Sequence, residues 1–245
     1  MNEPLFSIVT ITFNAAETLP ATLRSVDSQT FTDYEHLIID GASKDSTVET
    51  ARKAANKRRT IYSEPDKGLY DAMNKGLAKA RGRFIVFLNA GDSFSTPGTL
   101  ALYAQAATDG TDIIYADTRL VDSGRRVLGP RHLSVPGRLT FRSFASGMLV
   151  CHQAFCVRRS LAPAYDLRYR FSADYEWCLR CLKATSPERC VNLRTIAIDY
   201  LTEGLTDQNH KASLKERYHI MCRYYGTLPT LLRHVWFAVR ALMRR

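Results

Sequence analysis

The chain has 245 residues, of which 45% are apolar, 24% charged and 10% aromatic. This length and composition fit one domain with a full hydrophobic core, and they exclude a disordered chain, a collagen and a small disulfide scaffold. The formal net charge of +10 favours a polyanionic partner such as nucleic acid, an anionic membrane or a phosphorylated substrate. The charge is uneven, because residues 211–245 hold eight basic residues and one acidic residue.

The first hundred residues alternate between short apolar runs and amphipathic segments. Apolar, β-branched runs predict buried strands at residues 5–12, 37–40, 60–62 and 83–88. Helical spacing and capping residues predict helices at residues 19–26, 47–55 and 69–80. Repeated strand–helix units of this kind predict a parallel sheet with helices on both faces. On such sheets, ligands bind beyond the carboxyl ends of the strands.

The second half of the chain is less regular. It contains predicted strands at residues 112–117 and 195–200, a predicted helix at 174–183 and a loop-rich crossing at 129–147. Cys178 and Cys181 form one CxxC pair, but no second pair follows, so we predict reduced, buried thiols rather than a metal centre. The N-terminus lacks the pattern of a signal peptide, and no apolar run is long enough to predict a membrane span.

Acidic residues follow the predicted strands of the first half. Asp40 follows the second strand, Glu64 and Asp66 follow the third, and Asp92 follows the fourth. Helix capping is the alternative, but it suits Asp66 poorly because Gly68 intervenes before the next helix. Neither a GxGxxG nor a GxxxxGK[ST] motif is present, which disfavours a dinucleotide dehydrogenase and a P-loop NTPase. A phosphate-bearing ligand would then be neutralised most simply by a divalent ion that the acids hold.

Four motifs carry a resemblance to a known family. Residues 7–14 read SIVTITFN, residues 40–47 read DGASKDST, residues 64–76 read EPDKGLYDAMNKG, and residues 87–92 read FLNAGD. In this order and at this spacing they resemble the family 2 glycosyltransferases of GT-A fold, in the branch that serves bacterial surface polysaccharides. The resemblance implies an α/β, Rossmann-like, mostly parallel sheet, with a nucleotide-sugar half at 1–110, an acceptor half at 111–210 and a basic helical tail at 211–245.

The same resemblance implies roles for residues of the first half. In the family, the loop after the first strand binds the nucleotide base, an acid matching Asp40 accepts a hydrogen bond from a uridine-type base, and a DxD motif holds Mn²⁺ or Mg²⁺ against the donor diphosphate. The implied donor-binding residues are Ile11, Thr12, Asn14, Asp40, Asp66, Asp71, Asn89 and Gly91. Asn89 replaces the first Asp of DxD, which leaves Asp92 as the clear metal ligand. Asp71 and Lys75 also fit an i,i+4 helix pair.

Met73 stands where the family often has Arg, so the missing charge would come from Lys75 or from a basic residue of the second half.

The second half resembles the acceptor side of the family. Asp174 matches the general base of an inverting transfer, with Glu176 as the alternative base and helix capping as the other interpretation of Asp174. His152 and Gln153 lie in a segment that resembles the acceptor site, although a lone histidine is more often a structural donor. Residues 203–206 resemble a flexible loop that closes over the donor.

The tail predicts an amphipathic helix that carries apolar, basic and tryptophan residues. Its apolar residues at three- to four-residue spacing are Leu228, Leu231, Leu232, Val235, Trp236, Val239 and Leu242, and its arginines are Arg233, Arg240, Arg244 and Arg245. This pattern favours an anionic membrane surface, and docking on the domain or on a second subunit is the alternative. We expect a cytoplasmic enzyme, peripheral on the inner face of the cytoplasmic membrane.

The predicted reaction transfers a sugar, with inversion, from a nucleotide sugar to a glycan or lipid-linked acceptor, and a UDP-sugar is favoured as the donor. A sugar-phosphate nucleotidyltransferase is one alternative, but it needs a glycine-rich basic loop after the first strand, where this chain has residues 13–17, FNAAE. A nucleic-acid-binding module is the other alternative. It should interleave its charges with aromatic residues on one face, whereas here they concentrate in the tail, so we expect no nucleic-acid partner.

Overall fold

The computed structural model describes residues 3–54, 56–202 and 210–242. The strands are Phe6–Thr12 (β1), Tyr34–Asp40 (β2), Arg59–Ser63 (β3), Phe84–Phe87 (β4), Ser93–Phe94 (β5), Ile113–Val121 (β6), Val127–Pro130 (β7), Phe155–Arg158 (β8) and Cys190–Leu201 (β9). The α-helices are Leu19–Asp27 (α1), Thr47–Lys53 (α2), Leu69–Lys79 (α3), Thr99–Ala106 (α4), Ala173–Lys183 (α5), His210–Tyr225 (α6) and Thr227–Leu242 (α7).

The described strands form one mixed sheet in the order β3-β2-β1-β4-β8-β6-β9-β5, with β7 paired to β6. β1 pairs in parallel with both β2 and β4, and β6 pairs in parallel with β9, whereas β8 is antiparallel to its neighbours. The predicted α/β fold is confirmed. The chain runs from β1 outward to β2 and β3 and then returns to the other side of β1 as β4. This switch point leaves a crevice beyond the carboxyl ends of β1 and β4, where ligands bind in such sheets.

Burial on both faces explains why the strands of the first half could be predicted from the sequence. β1 and β2 are buried along their whole lengths, as expected for parallel strands with both faces covered. Helix α3 lies close against β1, because a Cβ atom at Gly76 would come within 2.5 Å of a methyl group of Val9. Glycine at this position therefore sets the distance between α3 and the sheet.

The second half contains elements that the pattern did not predict. β5 has two residues, β7 is an exposed hairpin strand, and β8 has four residues, so none of them carries a periodic signal. The predicted strands at 112–117 and 195–200 are longer than expected, at Ile113–Val121 and Cys190–Leu201. The predicted crossing at 129–147 includes the end of β7 and a 3₁₀ turn at Phe141–Ser146.

Two helices form the C-terminal segment. Helix α6 packs on the domain through buried Ile220 and Met221. Helix α7 packs on α6 through buried Thr230 and through His234, whose ring lies 5.1 Å from that of Tyr218. The opposite face of α7 is exposed and carries Leu228, Leu231, Leu232, Val235 and Trp236. Within the described parts of the chain, no helix combines the length and hydropathy that crossing a membrane requires.

Candidate active site

Hydrogen bonds join the loop after β1 to the loop after β2, beside the switch point. The Asn14 amide donates to Ser43 Oγ at 2.8 Å, and the Asn14 side-chain oxygen accepts from the Lys44 amide at 2.9 Å. Asn14 adopts a positive φ of 47°, a region that asparagine tolerates better than most residues. Phe13 precedes it, and its exposed ring lies beside Gly41. The predicted base-binding turn therefore has a fixed backbone and an accessible aromatic face, which the sequence argument did not single out.

Asp40 lies at the end of β2 and is buried. Its carboxylate accepts hydrogen bonds from Thr12 Oγ1, Ser63 Oγ and both the amide and the hydroxyl of Ser43. Burial raises the pKa of Asp40, but these hydrogen bonds outweigh it and bring the pKa below its usual value. Four donors among the described residues match the four lone-pair positions of a carboxylate. A nucleotide base would have to displace one of these hydroxyl groups to bind Asp40.

Asp66 and Asp71 hold the turn before α3. The Gly68 amide donates to Asp66 Oδ1 at 2.8 Å, and the Lys67 amide donates to Asp71 Oδ2 at 3.0 Å. The other Asp66 oxygen lies against Gly41, where a Cβ atom would collide with it. Lys75 lies 3.9 Å from Asp71 and donates to the Pro65 carbonyl at 2.6 Å, so its ammonium group is committed to this turn.

The loop after β4 carries Asn89, Gly91 and Asp92, and α1 supports it. Thr22 Oγ1 donates to the Asp92 carbonyl and accepts from the Gly91 amide. The Asp92 side chain is 4% exposed. Its Oδ1 accepts from the Leu201 amide at 3.0 Å and its Oδ2 from Gln153 Nε2 at 2.8 Å. Burial raises the pKa of Asp92 to about 7.

The described residues of this loop offer few ligands for the divalent ion that the sequence predicts. Both Asp92 oxygens accept hydrogen bonds from within the protein, and Gly91 has no side chain. Asn89 Oδ1 is buried without a partner in the described residues, and a single amide oxygen is too little to hold such an ion. The described ranges also contain no group of three His, Cys, Asp or Glu residues that could hold a metal. Leu201 and Gln153 hold the Asp92 side chain in place, and its role as a metal ligand stays a prediction.

A basic residue of the second half reaches this loop. Arg125 lies on the turn between β6 and β7 and has a positive φ of 65°. Its guanidinium group donates to the Gly91 carbonyl at 2.5 Å and to Ser93 Oγ. Arg125 could not be identified from the sequence, because no motif joins residue 125 to the loop after β4; the basic residue expected from the second half was to replace the charge missing at Met73.

Asp174 lies in the first turn of α5 and is partly exposed. Tyr70 Oη donates to its Oδ1 at 3.1 Å, and the Tyr175 amide donates to the same oxygen at 2.8 Å. Burial raises the pKa of Tyr70 well above its usual value, and Asp174 raises it further, so the phenol stays a donor. Within the described residues Asp174 Oδ2 has no hydrogen-bond partner. This oxygen is available to a substrate, whereas each oxygen of Asp40 and of Asp92 already accepts a hydrogen bond from within the protein.

The segment before Asp174 is held by α6. Glu216 accepts hydrogen bonds from the amides of Arg170, Phe171 and Ser172 at 2.6–2.8 Å. The C-terminal segment therefore fixes the start of the helix that carries Asp174.

Glu176, the predicted alternative base, lies in a buried contact. Its side chain is 2% exposed, pairs with Arg180 at 2.8 Å and accepts a hydrogen bond from Tyr224 Oη on α6. Two residues of helix turn the side chain through about 200° from that of Asp174, so Glu176 points into the contact between α5 and α6. It stabilises that contact and does not face the crevice.

His152 and Gln153, the predicted acceptor contacts, are both buried. His152 Nε2 lies 2.6 Å from Tyr165 Oη, its ring lies 5.4 Å from the ring of Trp177, and burial lowers its pKa to about 4. Gln153 donates to Asp92 and accepts from Cys151. The two residues thus connect the second half to the loop after β4. Residues 203–206, the predicted donor loop, lie outside the described residues.

Comparison with known proteins identifies the family. The model of the glycosyl transferase family 2 matches residues 7–164. A PGL/p-HBAD biosynthesis glycosyltransferase of Mycobacterium bovis is 37% identical over 189 residues, which cover 74% of this chain and 71% of that protein.

Two solved structures share the fold at low sequence identity. Residues 1–349 of S. aureus TarS in complex with UDP-GlcNAc are 19% identical with a TM-score of 0.67, and the match covers 88% of this chain and 65% of that fragment. A mannosyltransferase of Pyrobaculum calidifontis in complex with GDP-Man and Mn²⁺ is 15% identical with a TM-score of 0.62, and the match covers 97% of this chain and 76% of that one. With the family model matching more than half of the chain, the protein belongs to glycosyl transferase family 2 and is a glycosyltransferase.

Proposed function

We propose that this glycosyltransferase transfers a sugar, with inversion, from a nucleotide sugar to a hydroxyl group of a glycan or lipid-linked acceptor in the synthesis of a cell-surface polysaccharide or glycolipid. The observation that carries the proposal is the free oxygen of Asp174. Of Asp40, Asp92 and Asp174, the first two are buried and accept a protein hydrogen bond on each oxygen, whereas Asp174 is partly exposed and has one oxygen without a partner in the described residues.

The donor is proposed to lie in the crevice beyond β1 and β4. The fixed backbone at Asn14 and the exposed ring of Phe13 support binding of the nucleoside there, with the ring stacking on the base. The buried hydroxyl network of Asp40, Thr12 and Ser43 keeps this turn in place. A UDP-sugar is favoured, and the complex of TarS with UDP-GlcNAc, a relative in fold, is consistent with this choice.

In the proposed step, Asp174 Oδ2 removes the proton of the acceptor hydroxyl as its oxygen attacks the anomeric carbon. A bond forms between that oxygen and the anomeric carbon, and the bond from the anomeric carbon to the diphosphate breaks on the opposite face, which inverts the configuration. The nucleoside diphosphate leaves with the bonding electrons. Tyr70 and the Tyr175 amide orient the carboxylate by holding Oδ1, and Asp174 then releases its proton to solvent.

A donor screen tests this function. Nucleotide sugars are supplied without acceptor, and slow hydrolysis is followed by NMR, which identifies the anomer released first. We expect hydrolysis of a UDP-sugar with initial release of the inverted anomer, and we expect Asp174→Asn to keep UDP binding while it loses hydrolysis. Initial release of the retained anomer, or full hydrolysis by Asp174→Asn, contradicts the proposed mechanism.

The C-terminal helix is proposed to hold the enzyme at the inner face of the cytoplasmic membrane, close to a lipid-linked acceptor. The exposed apolar residues of α7 fall within an arc of about 140° at 100° per residue, a face of the kind that enters a lipid interface. Arg233 flanks this arc, while Arg244 and Arg245 lie outside the described residues. An apolar face with a cation at its border matches an anionic bilayer better than a second protein surface.

Vesicle co-sedimentation tests the membrane proposal. A Leu232→Ser and Trp236→Ser double variant should lose binding to anionic vesicles, whereas the Leu214→Ser control, which changes an exposed leucine of α6, should keep it. Binding of wild type should also fall as salt rises. Equal pelleting of the double variant and wild type contradicts the proposal, and a dimer in wild type that the double variant loses would indicate a second subunit instead.

A further inference from the structure

The turn between β6 and β7 brings an unpaired cation to the ligand edge of the sheet. β6 is parallel to β1 and β4, because both β4 and β6 are antiparallel to β8 between them. The carboxyl end of β6 therefore lies at the same edge as the crevice, and the turn at Asp122–Arg126 follows it directly. Arg125 extends from this turn to the Gly91 carbonyl, at the DxD position of the loop after β4.

Arg125 forms no salt bridge in the described parts of the chain; burial raises the pKa of the neighbouring Asp92 carboxyl, and the charge of Arg125 partly offsets that rise. No carboxylate in those parts lies within 4 Å of Arg125, although most other partly buried arginines of the described residues are ion-paired, such as Arg119 with Asp199 and Arg158 with Asp112. Two hydrogen bonds use two of its five N–H groups, and three remain available among the described residues. Partial burial makes an unpaired charge costly unless a ligand compensates it.

We propose that Arg125 binds the diphosphate of the nucleotide-sugar donor and neutralises the charge of the leaving group at the position where the motif predicts a metal ion. A guanidinium group donates in a fork that matches phosphate oxygens and stays charged at any working pH. Asp92 is the one carboxylate of the loop after β4, and each of its oxygens already accepts a protein hydrogen bond, so we assign the positive charge at this position to the β6–β7 turn. This inference rests on the proposed function, because it assigns a residue to the donor of that reaction.

A structural role is the alternative for Arg125, since its two hydrogen bonds also tie the β6–β7 turn to the loop. The two roles differ in what they do to ligand binding. A residue that only holds the loop would affect UDP and uridine alike, whereas a diphosphate ligand affects UDP and leaves uridine unchanged. Arg126 provides the matched control, because it lies on the same turn with the same charge and has an exposed side chain.

The experiment measures binding of UDP and of uridine by calorimetry, in EDTA and in Mn²⁺, for the full chain and for Arg125→Gln, Arg125→Lys and Arg126→Gln. We expect wild type to bind UDP more tightly than uridine in EDTA. Arg125→Gln should weaken UDP binding by about tenfold or more, as for loss of a charge-assisted hydrogen bond, with uridine unchanged. Arg125→Lys should keep part of the difference, Arg126→Gln should keep all of it, and thermal melts should show that each variant is folded.

Three results would overturn the inference. The first is a folded Arg125→Gln variant with wild-type affinity for UDP. The second is an equal loss of UDP and uridine binding, which assigns Arg125 to the loop structure. The third is a preference for UDP over uridine that disappears in EDTA, which assigns the charge to a metal. If wild type binds neither UDP nor GDP, the proposed donor is wrong as well, and this result is distinct from the other three.

Discussion

The carboxylates Asp40 and Asp92, at the edge of the sheet where the donor is proposed to bind, have different surroundings from Asp174 at the start of α5. At the donor edge, Asp40 and Asp92 are buried, and each oxygen accepts a hydrogen bond from within the protein. At the start of α5, Asp174 is partly exposed, and one of its oxygens has no hydrogen-bond partner in the described residues. A carboxylate with a protein donor on each oxygen holds a loop in shape, whereas one with an oxygen free of protein donors is available to a substrate. The position of an acid within a motif does not distinguish these cases.

The strongest test of this comparison is Asp174→Asn. Because the amide cannot accept the acceptor proton but can keep the hydrogen bond from Tyr70, we expect turnover to fall by roughly 10²–10⁴ while UDP affinity changes little. Steady-state kinetics and calorimetry measure the two quantities. Turnover within a few-fold of wild type would remove Asp174 from the mechanism and end the contrast between the two regions.

The contribution of buried His152 to the free energy of unfolding should depend on pH. The pKa of His152 is about 4 in the folded protein, below the usual 6.5, because burial disfavours its charge. The unfolded chain therefore takes up the proton first as pH falls, so the contribution of His152 to the free energy of unfolding is full above pH 6.5 and is lost as pH drops towards 4. His152→Gln should remove up to about 3 kcal/mol of this dependence. Urea unfolding at several pH values measures it, and parallel curves for variant and wild type would argue against a buried neutral histidine.

Asp92→Ala sharpens the contrast on the donor side. The change leaves the Leu201 amide and Gln153 Nε2 without their acceptor, so we expect a loss of about 2 kcal/mol in the free energy of unfolding without any added metal. Asn89→Ala is the matched control on the same loop, because Asn89 Oδ1 has no partner among the described residues, and it should cost less. If Asp92→Ala unfolds like wild type in EDTA and loses stability only in Mn²⁺, Asp92 is a metal ligand after all.

Glu176→Gln should have the smallest effect on catalysis. Glu176 pairs with Arg180 and Tyr224 inside the contact between α5 and α6, so we expect some loss of stability and turnover within a few-fold of wild type. Asp174→Asn, two residues earlier on the same helix, is the comparison. A fall in turnover as large as that of Asp174→Asn, in a variant that melts normally, would return Glu176 to the list of bases.

Much of the first half could be predicted from sequence because its signals are local. β1 and β2 are buried along their whole lengths and so form continuous apolar runs, and the four motifs follow the strand ends in order. The second half depends on pairing between distant segments. β5 and β8 are too short to show a hydrophobic period. They are strands because β5 pairs with β9 and because β8 pairs with β4 and β6.

The sequence by itself determined the family, the α/β sheet, the reaction class and the identity of Asp174 as the candidate base. These depend on residue types at fixed spacing along the chain. Which of the predicted site residues are accessible depends on the tertiary structure. Glu176, His152 and Gln153 are buried in contacts within the protein, and each oxygen of Asp92 accepts a hydrogen bond. Arg125, which lies on the turn between β6 and β7, reaches the loop after β4. The reason is physical, because burial and hydrogen-bond saturation depend on neighbours that lie far away in sequence.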